Sequence, residues 1–187
     1  MRWSVGTRAL QSGLALLVSA SAMAGLGIES RAYAHGKASD RNADPLLMLE
    51  VFPVHGSCWF ADTWGDPRGT DASGRPLVHE GTDIIAPKGT PLVAAVPGRI
   101  TRMLSGKRGG NQLWLTARDG SYLFYGHIDS YAAESRVGRT VKAGDVLAYV
   151  GKTGATSVNH LHFEIHPSGG AAVNPYPKLR AISTCRS

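Results

Sequence analysis

The sequence predicts a mainly β fold with few short helices. From about residue 48 onward the chain breaks into short stretches rich in Val, Ile, Leu and Tyr, punctuated by Gly and Pro. No long stretch repeats its apolar residues at helical spacing. Asp119 and Gly120 sit between two such stretches, and Asp-Gly is a strong two-residue hairpin signal.

The chain opens with Arg2 and Arg8, followed by an apolar run, 10–28, rich in Ala, Ser and Gly. Two A-x-A sites follow, ending at Ala24 and Ala34, as in a secretory signal. Residues 1–34 are therefore expected to be a signal peptide cleaved after Ala34. The rival reading is an uncleaved anchor, since about 20 apolar residues can span a bilayer. Residues 35–47 are polar, contain Pro45 and read as a linker. The folded domain is expected over 48–187.

Within it, 53–78 is dense in Gly, Pro and Asp and reads as a long loop, which in a compact domain usually serves function. Strands are expected over 81–85, 91–96, 99–104, 112–118, 121–127, 145–150 and 161–166, each a short β-branched or aromatic run bounded by turn residues. A short helix is expected over 130–134.

Removing Arg2, Arg8, Arg31 and Glu29 from the 20 basic and 14 acidic residues leaves 17 and 13. That mild positive charge, with no basic cluster longer than Lys107 and Arg108, is not a nucleic-acid signature. Cys58 and Cys185 lie near the two ends of the presumed domain in a chain that leaves the reducing cytoplasm, so a disulfide between them is expected.

Three short segments carry chemistry. His79 and Asp83 are spaced like the ends of an H-E-x-x-H helix, but Asp replaces the second His and Gly81-Thr82 disfavours a helix. Both residue types nevertheless ligate zinc. The run His160-Leu161-His162-Phe163-Glu164-Ile165-His166 alternates strictly, so on a strand Leu161, Phe163 and Ile165 face the core while His160 and His162 share the opposite face. Spacing alone leaves open whether both bind a metal or only one does. Tyr125-Gly126-His127 ends a strand, and by the two-residue period Tyr125 and His127 share a face.

In this order the segments H-x-x-x-D, strand-end His and H-x-H resemble the lysostaphin/LytM-like zinc endopeptidases, over roughly residues 50–176. The resemblance includes Gly110-Asn111 before a central strand and Asn174-Pro175 after the last one. It implies an antiparallel, barrel-sandwich-like sheet, zinc held by His79, Asp83 and His162, and catalytic roles for His127 and His160. It further implies hydrolysis of peptidoglycan peptides by an exported enzyme, secreted or periplasmic, acting as a monomer without stable membrane insertion after processing. Glu164 shares the face of the histidine pair and reads as an exposed strand carboxylate rather than a hydrogen-bond partner. His35, His55 and His166 match no family site position and read as surface residues. Two other classes compete. A biotinyl or lipoyl carrier hairpin is suggested by Val141-Lys142-Ala143-Gly144-Asp145 but leaves the five His and Asp positions unexplained. A catalytically idle, peptidoglycan-binding relative is expected to have lost ligands, and none is missing here.

Overall fold

In a computed structural model of the protein, the described residues are 47–185. The expected signal peptide, residues 35–46 of the expected linker, and His35 lie outside them. Leu47, at the end of that linker, is buried in the core.

The alternating and β-branched runs form strands as their patterns require. In chain order these are β1 (Trp59–Phe60), β2 (Pro67–Thr70), β3 (Pro76–Val78), β4 (Thr82–Ile85), β5 (Pro91–Val93), β6 (Gly98–Gly106), β7 (Gly110–Thr116), β8 (Tyr122–Tyr131), β9 (Thr140–Val141), β10 (Val146–Val150) and β11 (His160–His166). A six-residue helix, α1 (Tyr176–Ala181), follows. The main sheet is antiparallel in the order β1-β4-β11-β8-β7-β6-β9, with β10 pairing both β5 and β8. Leu161, Phe163 and Ile165 of β11 are fully buried beside Leu123 and Tyr125 of β8 and Leu113 and Leu115 of β7. The opposite face of β4, β11 and β8 is thereby left to carry polar side chains. Among the described residues no helix is long and apolar enough to cross a membrane.

Cys58 and Cys185 form the expected disulfide, their Cα atoms 4.8 Å apart across 127 residues of sequence. Three local expectations are corrected, and one element is new. The stretch 53–78 is not a plain loop: it contributes β1 to the edge of the main sheet and folds β2 and β3 into a separate two-stranded hairpin. The expected helix over 130–134 is absent, because β8 runs on to Tyr131. There it pairs with Ala148 of β10, and the Tyr131 hydroxyl donates to the Gln112 carbonyl. The Asp119-Gly120 hairpin closes one residue wider than a two-residue turn. Ala117 N donates to Ser121 O and Gly120 N to Ala117 O, and Gly120 alone of the loop takes positive φ, the pattern of a type I turn with a Gly bulge. Helix α1 was not foreseen, because six residues are too few to show a period.

Candidate metal centre

β4 and β11 are paired so that Asp83 lies directly opposite His162. His79 enters from the turn just before β4. Its amide donates to Asp66 O at 2.8 Å, and its ring Nδ1 donates to Thr63 O at 2.8 Å. Between them, Gly81 lets the strands approach: a Cβ there would lie 2.6 Å from Phe163 O and 2.7 Å from His162 Cε1.

Three candidate ligand atoms converge. His79 Nε2 is 2.8 Å from His162 Nδ1, and each is 3.0 Å from Asp83 Oδ1. The outer ring atoms settle the tautomers. His79 spends its Nδ1 proton on Thr63, and His162 donates Nε2–H to Glu164 Oε1 at 2.8 Å. With the outer nitrogens committed, the inner nitrogens of both rings and a carboxylate oxygen face one another, an arrangement that a cation between them, a proton or a metal ion, stabilises. Burial would by itself lower the His162 imidazole, yet its hydrogen bonds to Asp83 and Glu164, with their charges, raise it to about 9. Burial would likewise raise Asp83, but hydrogen bonds and charge from His162 and His79 hold it well below the usual carboxylate range. The surroundings thus favour a cation, and a His-Asp-His donor set suits zinc. Arg68 Nη2 takes the other oxygen, Asp83 Oδ2, at 3.1 Å, leaving Oδ1 for the centre.

His127 and His160 stand beside this cluster, their ring centroids 4.5 Å apart and His127 6.0 Å from His162. His160 Nδ1 donates to Val158 O at 3.0 Å, and His127 Nδ1 to Thr153 O at 2.7 Å, so Nε2 is the lone-pair nitrogen of each. His160 Nε2 is 3.5 Å from Asp83 Oδ1. Burial outweighs the bond to Thr153 at His127, and the bond to Val158 at His160, and lowers both pKa values.

The expectation that Tyr125 and His127 share a face fails. Tyr125 is fully buried, its hydroxyl donating to Val93 O and accepting from Ala95 N, whereas His127 lines the groove. The reason is a bulge. Asn111 and Leu113 of β7 are two residues apart, but their partners Ile128 and Tyr125 on β8 are three apart. His127 takes φ 60° in the extra position, which turns its ring to the groove side and returns Ile128 to the core.

Two readings of β11 are also corrected. Glu164 is not an exposed carboxylate but bridges His162 and His166, accepting from His166 Nε2 at 2.7 Å. Burial would raise it, yet those two hydrogen bonds bring it down to about 2. His166 is not a plain surface residue either: it stacks on Tyr122 at 4.1 Å and its Nδ1 donates to Gly170 O. His55 is exposed as expected.

The four histidines and Asp83 line a groove of about 600 Å³ whose walls include Arg68, Val78 and Arg108. The carbonyls of Thr63, Thr153 and Val158 orient three of the rings, and a backbone group carries no sequence signal. Arg68 lies 15 residues from Asp83, where nothing in the sequence marks it.

Similarity to known proteins agrees with this geometry. The profile of Peptidase family M23 matches residues 77–175. The L-Ala--D-Glu endopeptidase of Bacillus subtilis is 29% identical over 139 residues, covering 69% of this chain and 42% of that protein. Lysostaphin of Staphylococcus staphylolyticus is 35% identical over 109 residues, covering 56% of this chain and 22% of that one. The chain thus spans less than half the length of either relative. Among solved structures, the catalytic domain of lysostaphin from Staphylococcus simulans superposes with a TM-score of 0.57 at 30% identity, covering 65% of this chain and 92% of that one. A zinc containing peptidase from Vibrio cholerae gives 0.59 at 26% identity, covering 68% and 39%.

Proposed function

The chain belongs to Peptidase family M23, and on that premise we propose that it is an exported zinc metalloendopeptidase that hydrolyses peptide bonds in the peptides of peptidoglycan. The observation that carries this reading is the meeting of His79 Nε2, Asp83 Oδ1 and His162 Nδ1 within 3.0 Å of one another, with the outer nitrogens of both rings already committed to Thr63 and Glu164. These three residues would hold the ion. When bound, zinc supplies Lewis acidity, polarising a peptide carbonyl and lowering the pKa of water toward about 7.

The rest of the work belongs to the chain. His127 and His160 are kept neutral by burial, so either can accept a proton at Nε2 from the attacking water and return it to the departing amine. Once protonated, the same rings offer N–H donors to the charge that develops on the carbonyl oxygen. Arg68 holds Asp83 to one free oxygen. Export is supported by the sequence of residues 1–34 and by the disulfide, which persists in oxidising compartments. Peptide substrates are supported by the likeness to an L-Ala--D-Glu endopeptidase and to lysostaphin.

The test is digestion of purified peptidoglycan by the protein with and without chelator, followed by mass analysis of released fragments. Chelator-sensitive release of new amino and carboxyl termini is expected. No release by the metal-loaded protein would overturn the enzyme reading in favour of a relative that binds without cutting.

A further inference from the structure

One row of the main sheet extends the groove beyond its charged residues. Trp59 of β1 lies opposite Ile85 of β4, and Ile85 opposite His160 of β11, so the three sit side by side across adjacent strands. Their neighbours Phe60, Ile84 and Leu161 form the next row, of which Ile84 and Leu161 are buried in the core. Ile85 therefore shares the groove face with Asp83, two residues earlier on β4.

This row leaves large apolar surface in water. Trp59 is 55% exposed, Ile85 36% and Val158 51%, although Trp59 follows the buried, disulfide-bonded Cys58. Together they bound a second depression of about 600 Å³ with no charged residue in its lining. Ile85 and Val158 line both this depression and the groove over the metal centre, so the two adjoin. An apolar shelf adjoining a reacting centre and exposed on a folded surface is the kind of surface that binds a ligand.

Resting on the reading above, we propose that the Trp59–Ile85–Val158 shelf is a specificity subsite for a small, uncharged apolar side chain of the substrate peptide. Strands lie about 4.8 Å apart, so Ile85 is one strand and Trp59 two strands, about 10 Å, from His160. An extended peptide advances about 3.3–3.6 Å per residue. Ile85 therefore stands level with the first or second residue from the scissile bond and Trp59 with the third, and because side chains alternate along an extended peptide, only one of two neighbouring residues points onto the shelf. Peptides with methyl-bearing residues there, as in alanine-containing stem peptides, gain contact, whereas oligoglycine bridges gain none.

Once the digestion has located the cleaved bond, two soluble peptides spanning it test this, one with Ala and one with Gly at the second and third positions on the shelf side. The wild-type protein is expected to prefer the Ala peptide in kcat/KM by about ten-fold. Trp59→Ala, checked for folding by thermal unfolding, should bring that ratio close to one, and Trp59→Tyr should retain most of it. A preference that survives Trp59→Ala, or a wild-type protein indifferent to the exchange, overturns the subsite. Calorimetric binding of an Ala-containing stem peptide to the chelated protein separates the two readings: Trp59-dependent binding there, with no cleavage by the metal-loaded protein, would remove the hydrolase reading and leave the shelf intact.

Discussion

His162 donates Nε2–H to Glu164 Oε1 over 2.8 Å, and that one bond decides which ring nitrogen faces Asp83. Glu164 is held in turn by His166, whose two nitrogens both face acceptors, Glu164 Oε2 and Gly170 O. Burial would lower the His166 imidazole, but these bonds and the Glu164 charge raise it, favouring the protonated ring beside Glu164. Glu164→Gln should weaken zinc retention by about 10–100-fold while the fold persists. Competition with a chromogenic chelator measures it.

His162→Ala or Asp83→Ala should abolish metal retention, since each removes an atom of the converging triad. His127→Ala and His160→Ala should keep the metal and lose about 10²–10⁴-fold in rate. Elemental analysis beside peptidoglycan turnover separates the two classes, and equal metal loss in all four variants would overturn the division of roles.

In the metal-free protein His162 is raised to about 9, so at neutral pH a proton holds the position a metal must take. Zinc binding should release that proton, and apparent affinity should climb about ten-fold per pH unit until about pH 9. The raised value also stabilises the metal-free fold below the unfolded value of 6.5, a contribution lost as pH rises through about 9. Calorimetry in buffers of different ionisation enthalpy counts the proton directly.

His127 and His160 are lowered from 6.5 by burial, and a neighbouring cation would push them the same way. Their neutral forms therefore persist at mildly acidic pH. The acid limb of kcat/KM should fall below pH 6.5, and a limb centred above it would rule them out as the proton acceptors.

Reducing the Cys58–Cys185 bridge should cost about 2–4 kcal/mol, because it closes a loop of 127 residues in the unfolded chain. Thermal unfolding with and without reductant measures the loss.

Gly81→Ala should damage the centre from within, since its Cβ would press on the His162 ring and the Phe163 carbonyl. A loss of about 1–3 kcal/mol in stability is expected together with weaker zinc retention. A variant of unchanged affinity would show that β4 and β11 can separate without cost.

Much of this was legible in the residues themselves. The period of two in 160–166 assigns Leu161, Phe163 and Ile165 to the core and His160 and His162 to one face, because side-chain direction on a strand is a local property of the backbone. The cysteines and the hairpin position likewise follow from residue type and order, whereas the His79, Asp83 and His162 ligand set was implied by the family resemblance and not by spacing. Three things needed the folded chain. Which histidine meets Asp83 is decided by the β4–β11 register, a pairing between segments some 80 residues apart. That His127 faces the groove is decided by a bulge whose extra residue appears only when β8 is laid against β7. That Glu164, Arg68 and three backbone carbonyls tune the site is decided by contacts no periodicity encodes. Local pattern determines the direction of a side chain along its own strand, whereas its partners depend on non-local pairing, which only the assembled sheet specifies.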